Sequence, residues 1–111
     1  MADAVFEGLV NDAIDGLPEW VAPYLEDVVI QIEEHAPPDL RNLYGLYEGI
    51  PLGGDPTGWP PPSITIFREP LVRDFGRDHA ELARQVRITV VHEIGHHFGI
   101  DDERLGTLGY G

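Results

Sequence analysis

The sequence predicts an α+β fold, because helical and strand-like patterns occupy separate parts of the chain. Apolar residues with helical spacing lie near the two ends, at residues 2–16 and 79–97. Three short segments rich in β-branched or aromatic residues lie between them, at 28–33, 43–49 and 63–68. Strands grouped between helices are typical of a small sheet that helices cover.

The first predicted helix covers residues 2–16. Asp3 can cap its N-terminus, and Gly16 followed by Pro18 favours its end. A short turn around Pro23 is expected to follow. The apolar residues of this helix form one stripe that can face a core: Val5, Phe6, Leu9, Val10, Ala13 and Ile14.

The first two predicted strands differ in strength. Residues 28–33 are compact and β-branched, and a pair of prolines, Pro37 and Pro38, ends the segment. Residues 43–49 form a weaker strand pattern, in which Gly45 would let another element approach the backbone closely.

The third predicted strand, residues 63–68, has the clearest alternation of the three. Pro62 and Pro70 flank it, and because proline cannot donate a backbone hydrogen bond, we expect it to lie at an edge of the sheet. The preceding segment, residues 50–63, contains so many glycines and prolines that it predicts a loop.

The last predicted helix spans residues 79–97, after a short helical segment at 71–75. Asp78 can cap it, with Glu81 three positions later as in a capping box. Its apolar residues all fall near one face of the helix: Leu82, Ala83, Val86, Val90 and Ile94.

The end of this helix carries an H-E-x-x-H motif, continued as x-x-G-x-x-D. His92 and His96 lie one helical turn apart on the same face, so both imidazoles can bind one ion. Glu93 follows the first histidine and projects beside the pair, where its carboxylate could hold a water. Two imidazoles, a third protein ligand and an open position are typical of a hydrolytic Zn²⁺ site.

The third ligand is predicted to be a carboxylate beyond the helix. The chain has no cysteine, so a metal must be bound by histidine, aspartate or glutamate. A left-handed Gly99 would turn the chain sharply and return Asp102 toward the ion, with Asp101 as the alternative ligand. His97 points about 100° away from His96 around the helix, so we expect it beside the site or at the surface.

The predicted function is that of a zinc metallopeptidase. Glu93 would act as general base, taking a proton from the zinc-bound water that attacks a peptide carbonyl and passing it to the leaving amine. Four side chains are candidates for stabilising the oxyanion: Tyr110, Arg104, Tyr44 and Tyr47.

Length and charge limit the other possibilities. The 111 residues suffice for one domain with one modest core, expected over residues 1–111. The net charge of −13 argues against binding of nucleic acid or an anionic membrane. The first residues show neither a basic segment nor an apolar run, and no stretch is long enough to span a membrane, so we expect a cytoplasmic protein.

The segment 89–105, which carries the extended motif, resembles the minimal zincin-like metallopeptidase family of small bacterial proteins. Residues 43–52 and 64–71 are similar to that family's other two characteristic blocks. The resemblance implies a zincin-like α+β fold, in which a small mixed sheet packs on the active-site helix. In zincins an edge strand beside that helix binds extended substrate by strand addition, and here that strand would be 64–67.

The chain also departs from larger zincins. Its only methionine is Met1, so it lacks the methionine turn below the metal, and only nine residues follow Asp102. We therefore expect a loose cleft for short or extended peptides, which a partner protein or an oligomer could complete. The alternative function is a metal-stabilised binding module without turnover, whose acidic surface recruits a basic partner.

Overall fold

The computed structural model describes residues 3–49 and 61–107. In chain order the elements are helix α1 (Asp3–Asp15), a 3₁₀ helix (Glu19–Leu25), strand β1 (Val29–Glu33), a 3₁₀ turn (Pro38–Leu40), strand β2 (Gly45–Glu48), strand β3 (Ser63–Phe67), and helices α2 (Arg68–Phe75), α3 (His79–His97) and α4 (Asp102–Thr107). Helices and a small sheet occupy separate parts of the chain, so the predicted α+β fold is confirmed. Most of the predicted loop, residues 50–60, lies outside the described residues.

The three strands form one mixed sheet in the order β1-β3-β2. Strand β3 pairs in parallel with β1 and antiparallel with β2. The prediction that residues 63–68 form an edge strand is therefore wrong, because β3 is central. The flanking prolines are compatible with this position: Pro62 lies just before the strand and accepts a hydrogen bond from Val29 through its carbonyl (3.0 Å), and Pro70 lies in α2.

The core lies between one face of the sheet and the helices α1 and α3. The β3 side chains Ile64 and Ile66 point to this side and are fully buried. The apolar stripe of α1 and the predicted face of α3 meet them there, and their buried members are Phe6, Leu9, Val10, Ala13, Leu82, Val86, Val90 and Ile94. The helical periodicities of both segments thus predicted the packing faces, with the exception of Val5, which is 46% exposed.

Helix α3 begins and ends as the sequence predicts. Asp78 precedes its first turn, and the Asp78 carboxylate accepts a hydrogen bond from the Glu81 N–H (3.2 Å). The helix packs against α1, α2, β2 and β3, so its position relative to the sheet is determined from several sides.

Helix α2 starts three residues earlier than predicted, directly after β3. Pro70 is tolerated in its first turn because the missing N–H would have no partner within the helix. Arg68 opens the helix with ion pairs to Glu34 (2.7 Å) and Asp3 (3.3 Å), which join α2 to the end of β1 and to α1. Asp3 itself, predicted as a cap, is the first described residue of α1.

No helix in the described ranges is long and apolar enough to cross a lipid bilayer.

Candidate metal centre

The last two turns of α3 bring the two motif histidines together. The Nε2 atoms of His92 and His96 lie 3.1 Å apart, as expected for residues one turn apart on one face. Both rings are only partly exposed, and both line an open cleft of about 530 Å³ beside β2. Both imidazoles therefore face this cleft.

A tight turn after α3 returns the chain to these histidines. Gly99 has a φ of 81°, in the left-handed region that glycine adopts without strain. Its N–H donates to the His96 carbonyl (2.9 Å), and the Ile100 N–H donates to the Gly95 carbonyl (2.9 Å). This pair of bonds is a Schellman motif, and it satisfies two carbonyls that the helix end would otherwise leave unpaired.

The turn places Asp102, the first residue of α4, against both imidazoles. Its Oδ1 atom lies 3.1 Å from the His92 Nε2 atom and 3.0 Å from the His96 Nε2 atom. Asp101 has a different contact, because its Oδ1 accepts a hydrogen bond from the Arg104 N–H (2.9 Å) and so caps α4. Of the two aspartates that the sequence left open, Asp102 is the one that faces the histidines.

The three side chains fit a metal ion. In a tetrahedral zinc site with ligands at about 2.0–2.1 Å, neighbouring ligand atoms lie about 3.3 Å apart, close to the separations of 3.0–3.1 Å seen here. The His96 Nδ1 atom faces the Ile100 carbonyl at 3.1 Å and must donate to it, so the Nε2 atom of the neutral ring carries a lone pair. A triangle of two nitrogens and a carboxylate oxygen is a set of donors that a cation stabilises.

Glu93 lies beside this triangle but faces the sheet. Its side chain is 6% exposed, and burial raises the pKa of its carboxyl group above the ordinary value. The positive charge that His92 and His96 can carry lowers this pKa, whereas the negative charge of Asp102 raises it. The Tyr47 N–H donates to the Glu93 carboxylate and also lowers the pKa of Glu93. The carboxyl group therefore has one fixed donor and lies within electrostatic range of all three candidate ligands.

Gly45 allows β2 to approach α3 this closely. A Cβ atom at position 45 would lie 2.8 Å from the Thr89 Cγ2 atom, which is too near for a real contact, and 3.1 Å from the Glu93 Cγ atom, which is tight. The predicted close approach at this glycine is observed, and the element that approaches is α3.

Of the two positions that the sequence left open for His97, beside the site or at the surface, the structure shows the first. The side chain is 3% exposed and lies on the core side of α3. Its Nδ1 atom lies 2.8 Å from the Tyr47 hydroxyl, and its Nε2 atom lies 3.2 Å from the Tyr24 carbonyl. A signal for this burial was available, because His97 follows Glu93 by one turn and Val90 by two.

The candidates for stabilising an oxyanion differ in their position relative to the cleft. Tyr47 lines the cleft. Tyr44 instead donates to Asp74 on α2 (2.5 Å), and burial together with that bond raises the pKa of Tyr44 to about 12. Arg104 lies on α4, and Tyr110 lies outside the described residues.

A family model of zincin-like metallopeptidases matches residues 25–110, more than three quarters of the chain, and includes all three strands, α3 and the triangle of candidate ligands. None of the curated proteins searched matches the chain.

Proposed function

The chain belongs to the zincin-like metallopeptidase family, and we propose that it hydrolyses peptide bonds with one Zn²⁺ ion. His92, His96 and Asp102 would hold the ion, and Glu93 would act as general base. The observation that carries the proposal is the position of a buried glutamate beside a triangle of two imidazoles and a carboxylate, in one open cleft.

Zinc is the ion that we propose, because nitrogen and carboxylate donors with no cysteine suit it and the triangle leaves a fourth position open. When bound in such a site, zinc polarises a carbonyl group and lowers the pKa of a water molecule to near neutrality. Asp102 would leave the site with a net charge of +1, less electrophilic than a site of three neutral histidines.

Glu93 is suited to moving the proton. A general base works best when its pKa is near the operating pH, and burial raises the pKa of Glu93 in that direction. Its carboxylate would take a proton from the attacking water and pass it to the nitrogen of the leaving amine. The Tyr47 N–H would hold the carboxylate in place throughout.

The outer edge of β2 is the proposed platform for the substrate, in place of residues 64–67. Within the described ranges β2 pairs only with β3, and the edge on its other side borders the cleft. The Phe67 N–H donates to the Tyr44 carbonyl, so these two residues form a hydrogen-bonded pair. Such pairs alternate along an antiparallel ladder, and the N–H and carbonyl groups of the next residue, Gly45, therefore point away from β3. An extended peptide could add to the sheet at this edge, next to the ligand triangle.

The test is digestion of a broad peptide library by protein loaded with zinc, by protein treated with chelator, and by the Glu93→Gln variant. We expect cleavage by the first sample only, because the variant keeps the three ligands and loses the base. Glu81→Gln is the matched control, since it removes the same charge from the exposed first turn of the same helix.

Two results would decide against the proposal. Cleavage by the Glu93→Gln variant at the wild-type rate would remove Glu93 from the chemistry. Zinc uptake with no cleavage of any peptide would instead support a binding module. The cleft is acidic, with Asp101 and Asp102 both exposed, and so suits a basic partner.

A further inference from the structure

The helix α3 holds Tyr47 at two points. The backbone N–H of Tyr47 donates to Glu93, and its hydroxyl group lies 2.8 Å from the His97 Nδ1 atom. Glu93 and His97 are one helical turn apart on the same face, so the residue on β2 is fixed to two successive turns of α3.

The donor and acceptor in each hydrogen bond of the His97 ring can be assigned. The Tyr24 carbonyl at 3.2 Å can only accept a hydrogen bond, so the His97 Nε2 atom donates to it. In the neutral ring the Nδ1 atom is then the acceptor, and the Tyr47 hydroxyl group donates. Since the ring is 3% exposed, water does not compete for these bonds, and Tyr47 is connected through the ring to the 3₁₀ helix Glu19–Leu25.

From this geometry we infer that Tyr47 and His97 form a positioning pair that holds the outer edge of β2 in register with His92 and His96. The inference rests on the proposed function in one respect, that a peptide adds to this edge. His92 and His96 each precede a residue that holds Tyr47, so movement of Tyr47 along α3 would shift the edge relative to both imidazoles.

In the part of the chain that the structure describes, the pair lies along the edge of β2 that has no neighbouring strand. Gly45 contacts α3 through backbone alone, and a side chain there would collide with Thr89. Tyr47 is thus the residue of β2 whose side chain reaches across to the helix by a hydrogen bond. A misplacement of about 1 Å at a reacting centre can cost about a hundredfold in rate, so a small loss of register should be visible in turnover.

The experiment compares Tyr47→Phe, which removes only the hydroxyl group, with two substitutions of His97. Asparagine at position 97 keeps an acceptor close to the place of Nδ1, whereas glutamine keeps a donor close to the place of Nε2. Tyr44→Phe is the matched control, because it removes a hydroxyl group that is bonded to Asp74 and lies outside the cleft.

We expect Tyr47→Phe and His97→Gln to lower kcat/KM on a cleaved peptide by about 5–30-fold, the factor for loss of one or two buried hydrogen bonds, mainly through kcat. Zinc affinity should not change, because the ligands are intact. The His97→Asn variant should recover most of the loss, and Tyr44→Phe should match the wild type.

Amide hydrogen exchange in the metal-free protein tests the pair without relying on activity. We expect the amide at position 47 to exchange faster in Tyr47→Phe and in His97→Gln than in the wild type and in Tyr44→Phe. If the wild type cleaves no peptide, the proposed function fails while this measurement still decides on the pair. Unchanged exchange in Tyr47→Phe, or a loss of zinc affinity as large as the loss of kcat/KM, would overturn the inference.

Discussion

The end of α3 carries two pairs of side chains that are offset by one residue and differ in almost every property. His92 and His96 face the cleft, are partly exposed and share Asp102 as a third partner. Glu93 and His97 face the sheet, are buried and share Tyr47. Two turns of one helix thus carry the candidate metal site on one side and attach a strand on the other.

The difference shows how a small protein can build a site with little chain. The first pair is completed by a local turn, since Gly99 returns Asp102 within six residues of His96. The second pair is completed by a residue about fifty positions away, because Tyr47 reaches α3 only through the sheet. The proposed metal binding would therefore depend on local geometry, and the alignment of the cleft would depend on the tertiary fold.

The largest expected effect follows from breaking the cleft-facing pair. His92→Ala, His96→Ala or Asp102→Asn should each weaken zinc binding by more than the roughly 10–100-fold that loss of an outer hydrogen-bond partner costs, because each removes a proposed direct ligand. Titration with zinc against a chromophoric chelator measures this.

Two controls sharpen the same comparison. Asp101→Asn changes the neighbouring carboxylate, which caps α4, and His97→Asn changes the neighbouring imidazole, which faces the sheet. Both variants should bind zinc as the wild type does. A loss of affinity in Asp101→Asn equal to that in Asp102→Asn would show that the ligand assignment is wrong.

An intermediate effect, on stability, is expected from a side chain forced between β2 and α3. Gly45→Ala puts a Cβ atom 2.8 Å from the Thr89 Cγ2 atom, and overpacking of this kind costs about 1–3 kcal/mol of the free energy of unfolding. Gly8→Ala is the control, since no atom lies within 4 Å of its new Cβ and the α1 helix should gain up to about 1 kcal/mol. Urea denaturation of the metal-free protein measures both changes, and equal signs for the two would contradict the close approach of β2 to α3.

A smaller effect should appear in the pH dependence of stability. Burial raises the folded-state pKa of Glu93, so below its ordinary value of 4.5 the carboxyl group is neutral in both the folded and the unfolded protein. As the pH rises through the raised pKa, the folded protein must ionise a buried group and loses stability that the Glu93→Gln variant keeps.

The measurement is the difference in free energy of unfolding between Glu93→Gln and the wild type, taken with chelator present at several pH values from about 4 to 7. The free energy of unfolding of Glu93→Gln should exceed that of the wild type by an amount that grows with pH. A difference that stays constant, or that shrinks as the pH rises, would show that Glu93 is not desolvated in the fold.

The sequence predicted what depends on local interactions. The bounds of α3 follow from the Asp78 cap and a steady apolar period, and the turn follows from Gly99. The sequence could therefore predict that His92 and His96 lie together, with Asp102 or its rival Asp101 beside them. These features are each determined within about one or two helical turns of chain.

What the sequence did not predict depends on strand order and packing. Flanking prolines suggested that 63–68 was an edge strand, but a proline just outside a strand leaves the backbone hydrogen bonds of that strand intact. The pairing of β3 with both neighbouring strands depends on the whole fold. The angle of His97 from His96 left open whether it lies beside the site or at the surface, because its partners Tyr47 and Tyr24 are distant in sequence.

The most direct test of the proposed metal site is X-ray absorption at the zinc edge, on protein loaded with one equivalent of zinc. We expect a four-coordinate site with two imidazole nitrogens at about 2.0–2.1 Å, one carboxylate oxygen and one further light atom, and loss of the carboxylate in the Asp102→Asn variant. Failure to retain zinc, or a first shell with three imidazoles or none, would contradict it.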